Sequence, residues 1–352
     1  MKSESTRSIE DRAVDAIADC LSPVPFLVLE DLGVQESRPA GPDAILAVRA
    51  GGRRWLLLVE ARSSGEPRFA RAAVTSLQVL RRQFANAVPV FVAPYISPRG
   101  AEICRQADVS YIDLAGNCRL VFDRIFIQME AQKNPFPRRR TLRSLYSPKA
   151  ERILRVLLTA PRQTWRMQQL AGTARVSLGQ VANVKRLLLD REWITEGSAG
   201  ILLSEPQQLL ADWATAYDAA RSMSRGFYSL MEPREVEAAL APLCRSRGVS
   251  YALTGFSAAA RLAPFVRTQQ AEAYLSGEID EVAAALALRG VTSGANVRLI
   301  KPYDEGVFYG LTLIDDLPLV APVQTYLDLR SADGRGEDAA DFFLREAILP
   351  TW

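Results

Sequence analysis

A chain of 352 residues is long enough for two or three cores, and 48% hydrophobic with 24% charged residues is the balance of a folded protein. It contains no histidine, which removes Ser-His-Asp and Cys-His catalysis and the usual His-bearing zinc and non-haem iron sites. The net charge of +3 is uneven: residues 133–191 hold 14 Lys and Arg against Glu151 and Asp190, a local +12 that leaves −9 for the rest, as expected of a segment that meets a polyanion.

The opening MKSESTRSIEDR is polar and lacks the apolar core of a signal peptide, and no apolar run approaches the roughly 20 residues that span a bilayer. The expectation is a cytoplasmic protein without a membrane segment. Ile9, Ala13, Ile17 and Leu21 recur at helical spacing. Ala44 to Val48 and Trp55 to Glu60 follow as apolar runs joined through Gly51-Gly52, the pattern of a hairpin. A long helix carries Ala70, Val74, Leu77 and Leu80 on one face. Val88 to Pro94 then reads as a buried strand, Ser97 to Ala107 as a Ser-capped helix and Tyr111 to Leu114 as another strand. Leu120 to Gln128 closes this part. Cys20, Cys104, Cys118 and Cys244 are widely spaced and form no Cys-x-x-Cys pair, which predicts buried, reduced thiols rather than a disulfide framework or a thiolate zinc site.

Two prolines and a charge run make residues 134–146 a basic linker. Ser147-Pro148 then starts a helix with Ile153, Leu154, Leu157 and Leu158 facing inward. Thr164 is expected to cap a second helix, which buries Met167, Leu170 and Ala171. Ser177 caps a third, running to about Glu192, with Leu178, Val181, Val184 and Leu188 on its inner face. Trp193 to Leu203 reads as a hairpin turning at Glu196–Gly200. Three helices and a wing predict a winged helix-turn-helix. Its third helix fits a major groove, with Gln180 and Asn183 able to contact adenine and Arg186 guanine or phosphate. Thr164, Arg166, Arg175, Ser177 and Lys185, with Arg138, Arg139 and Arg140 of the linker, complete the expected DNA-binding set, the cations neutralising phosphates.

Pro206 to Arg225 continues as an amphipathic helix within a connecting stretch, 206–231. A last part begins near residue 232 with a helix through Ala238, Leu240 and Leu243, ended by Gly248. Mixed strands and helices follow, at Tyr251–Thr254, Ser257–Leu262, Glu272–Leu275, Asp280–Leu288 and Val297–Ile300, and a terminal helix runs from about Asp338 to Ile348. The organisation read from the sequence is thus 1–133, 134–146, 147–205, 206–231 and 232–352.

The stretches Val92-Ala-Pro-Tyr-Ile-Ser97, Tyr111-Ile-Asp-Leu-Ala-Gly-Asn-Cys118, Tyr251-Ala-Leu-Thr-Gly-Phe-Ser-Ala-Ala-Ala260 and Pro322-Val-Gln-Thr-Tyr-Leu-Asp328 resemble the AbiEi family of antitoxins and transcriptional regulators. The resemblance implies a winged helix that represses its own operon and a C-terminal domain that counters a nucleotidyltransferase-like toxin, with or without direct contact. In better-known members the winged helix is N-terminal, so the first 130 or so residues lie outside what the resemblance explains.

Those residues have an element order similar to the PD-(D/E)XK restriction-endonuclease core. The matching positions are Pro42-Asp43 and Glu60-Ala61-Arg62. In that family the two acids hold Mg²⁺ and a Lys orients the attacking water. Here Arg62 stands in the place of the Lys, and Arg never gives up its proton. Gln78, with Arg81 and Arg82, resembles a cleft-lining helix. Thr254-Gly-Phe-Ser257 followed by Glu272 faintly resembles a nucleotidyltransferase opening. Ala271 and Ala273 flank the single acid and Tyr274 takes the alternate place, so a second metal ligand is missing and no nucleotide transfer is expected.

The expected protein is therefore multidomain, α/β plus a winged helix. Its function would be that of a regulator binding its own promoter as a homodimer, since operators are commonly palindromic, and needing no cofactor. The alternative is a Mg²⁺-dependent DNA nuclease targeted by the winged helix. A third reading is an interaction scaffold whose basic stripe meets RNA or an acidic protein.

Overall fold

Apolar alternation and helical periodicity build two units in the computed structural model, which describes residues 9–30, 41–130, 145–263, 270–332 and 334–352. The units are Met1–Leu142 with Leu189–Glu192, and Arg143–Leu188 with Trp193–Trp352. The central segment and the C-terminal part, which the sequence separates, fall in one unit. No helix among the described residues is long and apolar enough to cross a membrane.

The first unit is a seven-stranded sheet. Helix α1 (Ile9–Leu21) precedes β1 (Leu27–Glu30), β2 (Ala44–Ala50) and β3 (Arg53–Ala61), an antiparallel meander. Helix α2 (Pro67–Arg81) leads to β4 (Ala87–Ala93), parallel to β3, and α3 (Pro98–Gln106) to β5 (Ser110–Asp113), parallel to β4. Strands β6 (Cys118–Phe122) and β7 (Ile125–Met129) finish the sheet in chain order. The expected stretch Leu120–Gln128 is thus a hairpin, turned at Asp123, whose φ is 51°. The sheet has two buried faces, which is why β3 and β4 are almost continuously apolar. Ala13, Ile17 and Leu21 of α1 pack on one face, and Ala70, Leu77 and Leu80 of α2 with Ile103 and Cys104 of α3 on the other.

The second unit opens with helices α4 (Pro148–Thr159), α5 (Met167–Ala174) and α6 (Leu178–Asp190), then a hairpin of β8 (Ile194–Gly197) and β9 (Gly200–Leu203). Helix α7 (Pro206–Ala216) follows. Here the structure corrects the sequence reading, which continues this helix to Arg225. The helix stops at Ala216, and residues Met223–Tyr228 form strand β10, hydrogen-bonded along β14 (Val297–Lys301). The reason is tertiary: Phe227 fills the core of the second sheet and the Tyr217 hydroxyl reaches a buried polar cluster, neither of which a continuing helix permits.

That second sheet runs β13-β10-β14-β12-β11-β16-β15. Its remaining strands are β11 (Tyr251–Leu253), β12 (Ala271–Leu275), β13 (Arg289–Gly290), β15 (Thr312–Ile314) and β16 (Leu317–Leu319). Helices α8 (Pro233–Arg247), α9 (Gly255–Leu262), α10 (Ile279–Ala285), α11 (Pro322–Arg330) and α12 (Gly336–Phe343) complete it. Gly248 ends α8 with φ 64°, as its place after the apolar stripe predicts.

Candidate nucleic-acid interface

The three-helix segment is held together by an apolar core that local periodicity largely specifies. Ile153, Leu154, Leu157 and Leu158 of α4, Leu170 and Ala171 of α5, and Val181, Val184, Leu187 and Leu188 of α6 are buried. Leu178 is a correction: placed on the inner face by spacing, it is 49% exposed because it starts α6 before the helix reaches the core.

Thr164 is a second correction. It is exposed and does not cap α5, which begins after Arg166 without a side-chain cap. The preceding residue explains this. Trp165 exchanges two backbone hydrogen bonds with Ile201, at 2.8 and 2.9 Å, and so adds a third rung to the hairpin. A Cβ at position 200 would overlap the Trp165 carbonyl, and Gly200 has φ 136°, so glycine is what permits the approach. Ser177 does cap α6, its Oγ accepting from the Gln180 backbone N–H at 3.2 Å.

On α6 the side chains of Gln180, Asn183 and Arg186 stand at three-residue spacing along the outer face, half-exposed or exposed. Asn183 Oδ1 accepts from Arg186 Nη2 at 3.1 Å, which orients the amide. Lys185 pairs with Glu196 at the hairpin turn. Arg166 and Arg175 are exposed and have no ionic or hydrogen-bonding side-chain partner among the described residues. Arg175 holds φ 52° at the end of α5, so its side chain projects from the turn between α5 and α6. Arg138, Arg139 and Arg140 lie outside the described residues.

The +12 of the sequence is not all on the surface. Arg152 makes a bidentate pair with Asp304, at 2.7 and 3.0 Å, and Arg162 donates to the Trp352 carbonyl at 2.7 Å. Arg155 is fully buried and donates to Gln324 Oε1 at 3.0 and 2.6 Å, while its guanidinium lies 5.0 Å from the Trp213 ring. Gln324 donates onward to Asp328 at 2.9 Å, and Tyr217, Tyr274 and Thr254 donate to the same carboxylate. Glu151, also buried, takes Arg221 at 2.8 Å and the Tyr303 hydroxyl. Burial pushes the Asp328 carboxyl up, opposed by the four donors around it, and pushes the Tyr217 and Tyr274 hydroxyls well above their ordinary range. Thr254, Gln324 and Asp328 lie in the stretches quoted above, but nothing in the sequence shows that they meet Arg155, Tyr217 and Tyr274, since the cluster draws on positions from 155 to 328.

Glu272 follows the same logic. Its side chain accepts from the Phe256 N–H at 2.7 Å, with Arg298 at 3.4 Å, and burial raises its carboxyl. Gly255 has φ 52°, and a Cβ there would overlap the Glu272 carboxylate, so the Thr-Gly-Phe-Ser stretch is shaped around the acid. Tyr274, on the same face of β12, turns its hydroxyl to Asp328 at 2.9 Å.

In the first unit Asp43 and Glu60 do come together, across the β2–β3 pair. Arg62 contacts both: Asp43 at 3.5 Å and Glu60 more closely. Asp43 Oδ2 also accepts from the Ala61 N–H at 2.7 Å, and Glu60 Oε2 from Ser76 at 3.4 Å. Burial raises the Glu60 carboxyl, more than the adjacent Arg62 lowers it. Mg²⁺ needs carboxylate oxygens free to face it. Here a permanently charged guanidinium already lies on both, so the residues present do not fit the ion. No group of three or more acidic or Cys side chains among the described residues has the arrangement of a metal site. Gln78 is exposed on α2, about 200° around the helix from Ser76, the α2 side chain that reaches Glu60.

Residues 202–349 match the family described as "Transcriptional regulator, AbiEi antitoxin, Type IV TA system". No curated protein matches the chain.

Proposed function

We propose, from the match of residues 202–349 to the AbiEi family of transcriptional regulators and antitoxins, that this chain is a sequence-specific DNA-binding autorepressor and antitoxin of a type IV toxin–antitoxin system. In this reading α4, α5, α6 and the β8–β9 hairpin are a winged helix-turn-helix. The observation that carries it is the outer face of α6: Gln180 and Asn183, half-exposed, and the exposed Arg186 follow the Ser177 cap, beside a hairpin and Arg166 and Arg175, which have no ionic partner among the described residues. Amide side chains on a helix read adenine edges in the major groove, and free guanidinium groups neutralise phosphate.

The DNA is the promoter of the chain's own operon, bound as a homodimer on a palindromic site, and no cofactor is needed. The counterpart toxin is nucleotidyltransferase-like. The first unit resembles a nuclease core in element order, and its Arg62-bridged acids support a non-catalytic role. Fluorescence anisotropy with the promoter duplex and a scrambled duplex tests the reading. Preferential promoter binding that Gln180→Ala with Asn183→Ala removes is the expected result. Equal binding to both duplexes by the wild type, or plasmid cleavage with Mg²⁺ that Glu60→Ala abolishes, overturns it.

A further inference from the structure

Of the four cysteines, two are neighbours in space although 98 positions apart. The Cys20 thiol donates to Cys118 Sγ at 3.0 Å. The remaining two, Cys104 and Cys244, are buried without a cysteine partner. Closing the Cys20–Cys118 gap to a bond of about 2.0 Å asks for a side-chain movement of roughly one ångström.

Both backbones are fixed. Cys20 sits in the last turn of α1, whose Ala13 and Ile17 are fully buried against the sheet. Cys118 begins β6 directly after a loop that Asp113 ties down, accepting from the backbone N–H groups of Ile96, Ala115 and Asn117 at 2.9 to 3.2 Å. A pocket of about 360 Å³ opens onto the pair, lined also by Arg12, Asp15, Asp19 and Met129. Cys20 and Cys118 thus line a pocket that a small solute can enter, although they are only 3% and 1% exposed.

We propose that Cys20 and Cys118 form a peroxide-sensitive dithiol, which a hydroperoxide oxidises to a disulfide that ties α1 to β6. Cys118 is the attacking sulfur. The Cys20 thiol and the Met129 backbone N–H both donate to it and favour its thiolate, whereas Cys20 lies at the negative end of a helix and its thiol is held protonated. The thiolate attacks one peroxide oxygen, the O–O bond breaks, and the departing hydroxide takes a proton and leaves as water. Cys118 is then a sulfenic acid. Cys20 attacks its sulfur, the S–O bond breaks, and the Cys20 proton leaves with the hydroxide as a second water. Two thiols have given two electrons to one peroxide.

The test uses the full chain with hydrogen peroxide, followed by alkylation in denaturant and peptide mapping. The expected outcome is loss of two of the four free thiols, a linked Cys20–Cys118 peptide, and full reversal by dithiothreitol. Cys20→Ser removes the resolving thiol and leaves Cys118 as a sulfenic acid that dimedone labels. That labelling is at least about tenfold faster than at Cys104 or Cys244, whose thiols burial raises to about 12 and about 11. Four thiols surviving peroxide in the wild type, or oxidation confined to Cys104 and Cys244, overturns the proposal. The wild-type map decides the matter whether or not a variant folds.

Discussion

Helices α4 and α6 belong to one basic segment, yet they use their polar residues in opposite ways. On α4, Glu151, Arg152 and Arg155 point toward the C-terminal part of the same unit and are consumed there by Arg221, Asp304 and Gln324. On α6, Gln180, Asn183 and Arg186 remain at the surface. A charge tally treats the two alike. Burial distinguishes them: a buried cation serves its partners and holds the structure, and only an exposed one is left for an outside polyanion.

Removing the buried side should cost most. Arg155→Ala leaves Gln324 Oε1 without its buried donor, takes a cation from 3.8 Å beside Glu151 and opens a cavity against Trp213, and is expected to destabilise the second unit by about 3–5 kcal/mol, read by denaturant unfolding. A loss below about 1 kcal/mol would mean the cluster is not what joins α4 to the C-terminal part. On the exposed side, Gln180→Ala and Asn183→Ala should each remove about 1–3 kcal/mol of discrimination between promoter and scrambled duplex, with the melting temperature unchanged. A drop in melting temperature would place these side chains with those of α4.

Glu272 sharpens the same contrast through pH. Burial raises its carboxyl in the folded state, so the proton is held more firmly there than in the unfolded chain. The stability it contributes is present below its ordinary value of about 4.3 and is lost as pH rises through the higher folded value. Glu272→Gln keeps an acceptor for the Phe256 N–H without the charge. From about pH 4 to 7, the wild type should therefore lose a few degrees of melting temperature relative to the variant; parallel curves would contradict this. Arg166→Ala should lower affinity for promoter and scrambled duplex alike and reduce the slope of log affinity against log salt by about 0.9, the value of one phosphate contact. The smallest effect belongs to Leu178→Ala, within about 0.5 kcal/mol, since that side chain is half in water; a core-sized loss would restore it to the inner face.

The elements that depend on local periodicity are legible in the sequence. Helix α1, the β2–β3 hairpin at Gly51-Gly52, the Ser97 and Ser177 caps and the Gly248 stop all stand where spacing and cap chemistry put them. Thr164 is ambiguous because Thr suits a strand as well as a helix cap, and only the Trp165–Ile201 pairing shows which role its neighbourhood takes. The helix read through Arg225 failed for a similar reason. Nothing local in Ala219–Tyr228 forbids a helix, and the vacancy between β13 and β14 is what makes Met223–Tyr228 a strand.

By itself, then, the order of residues determined the absence of histidine chemistry, the basic middle, most helices and the outward set Gln180, Asn183 and Arg186. Tertiary structure alone decided which cations are spent internally, that Arg62 closes the Asp43–Glu60 pair, and that Cys20 meets Cys118. The division has one cause. Helical and strand periods repeat within a few residues and can be read along the chain, whereas burial and pairing bring together positions 98 or 169 apart, and no local pattern records them.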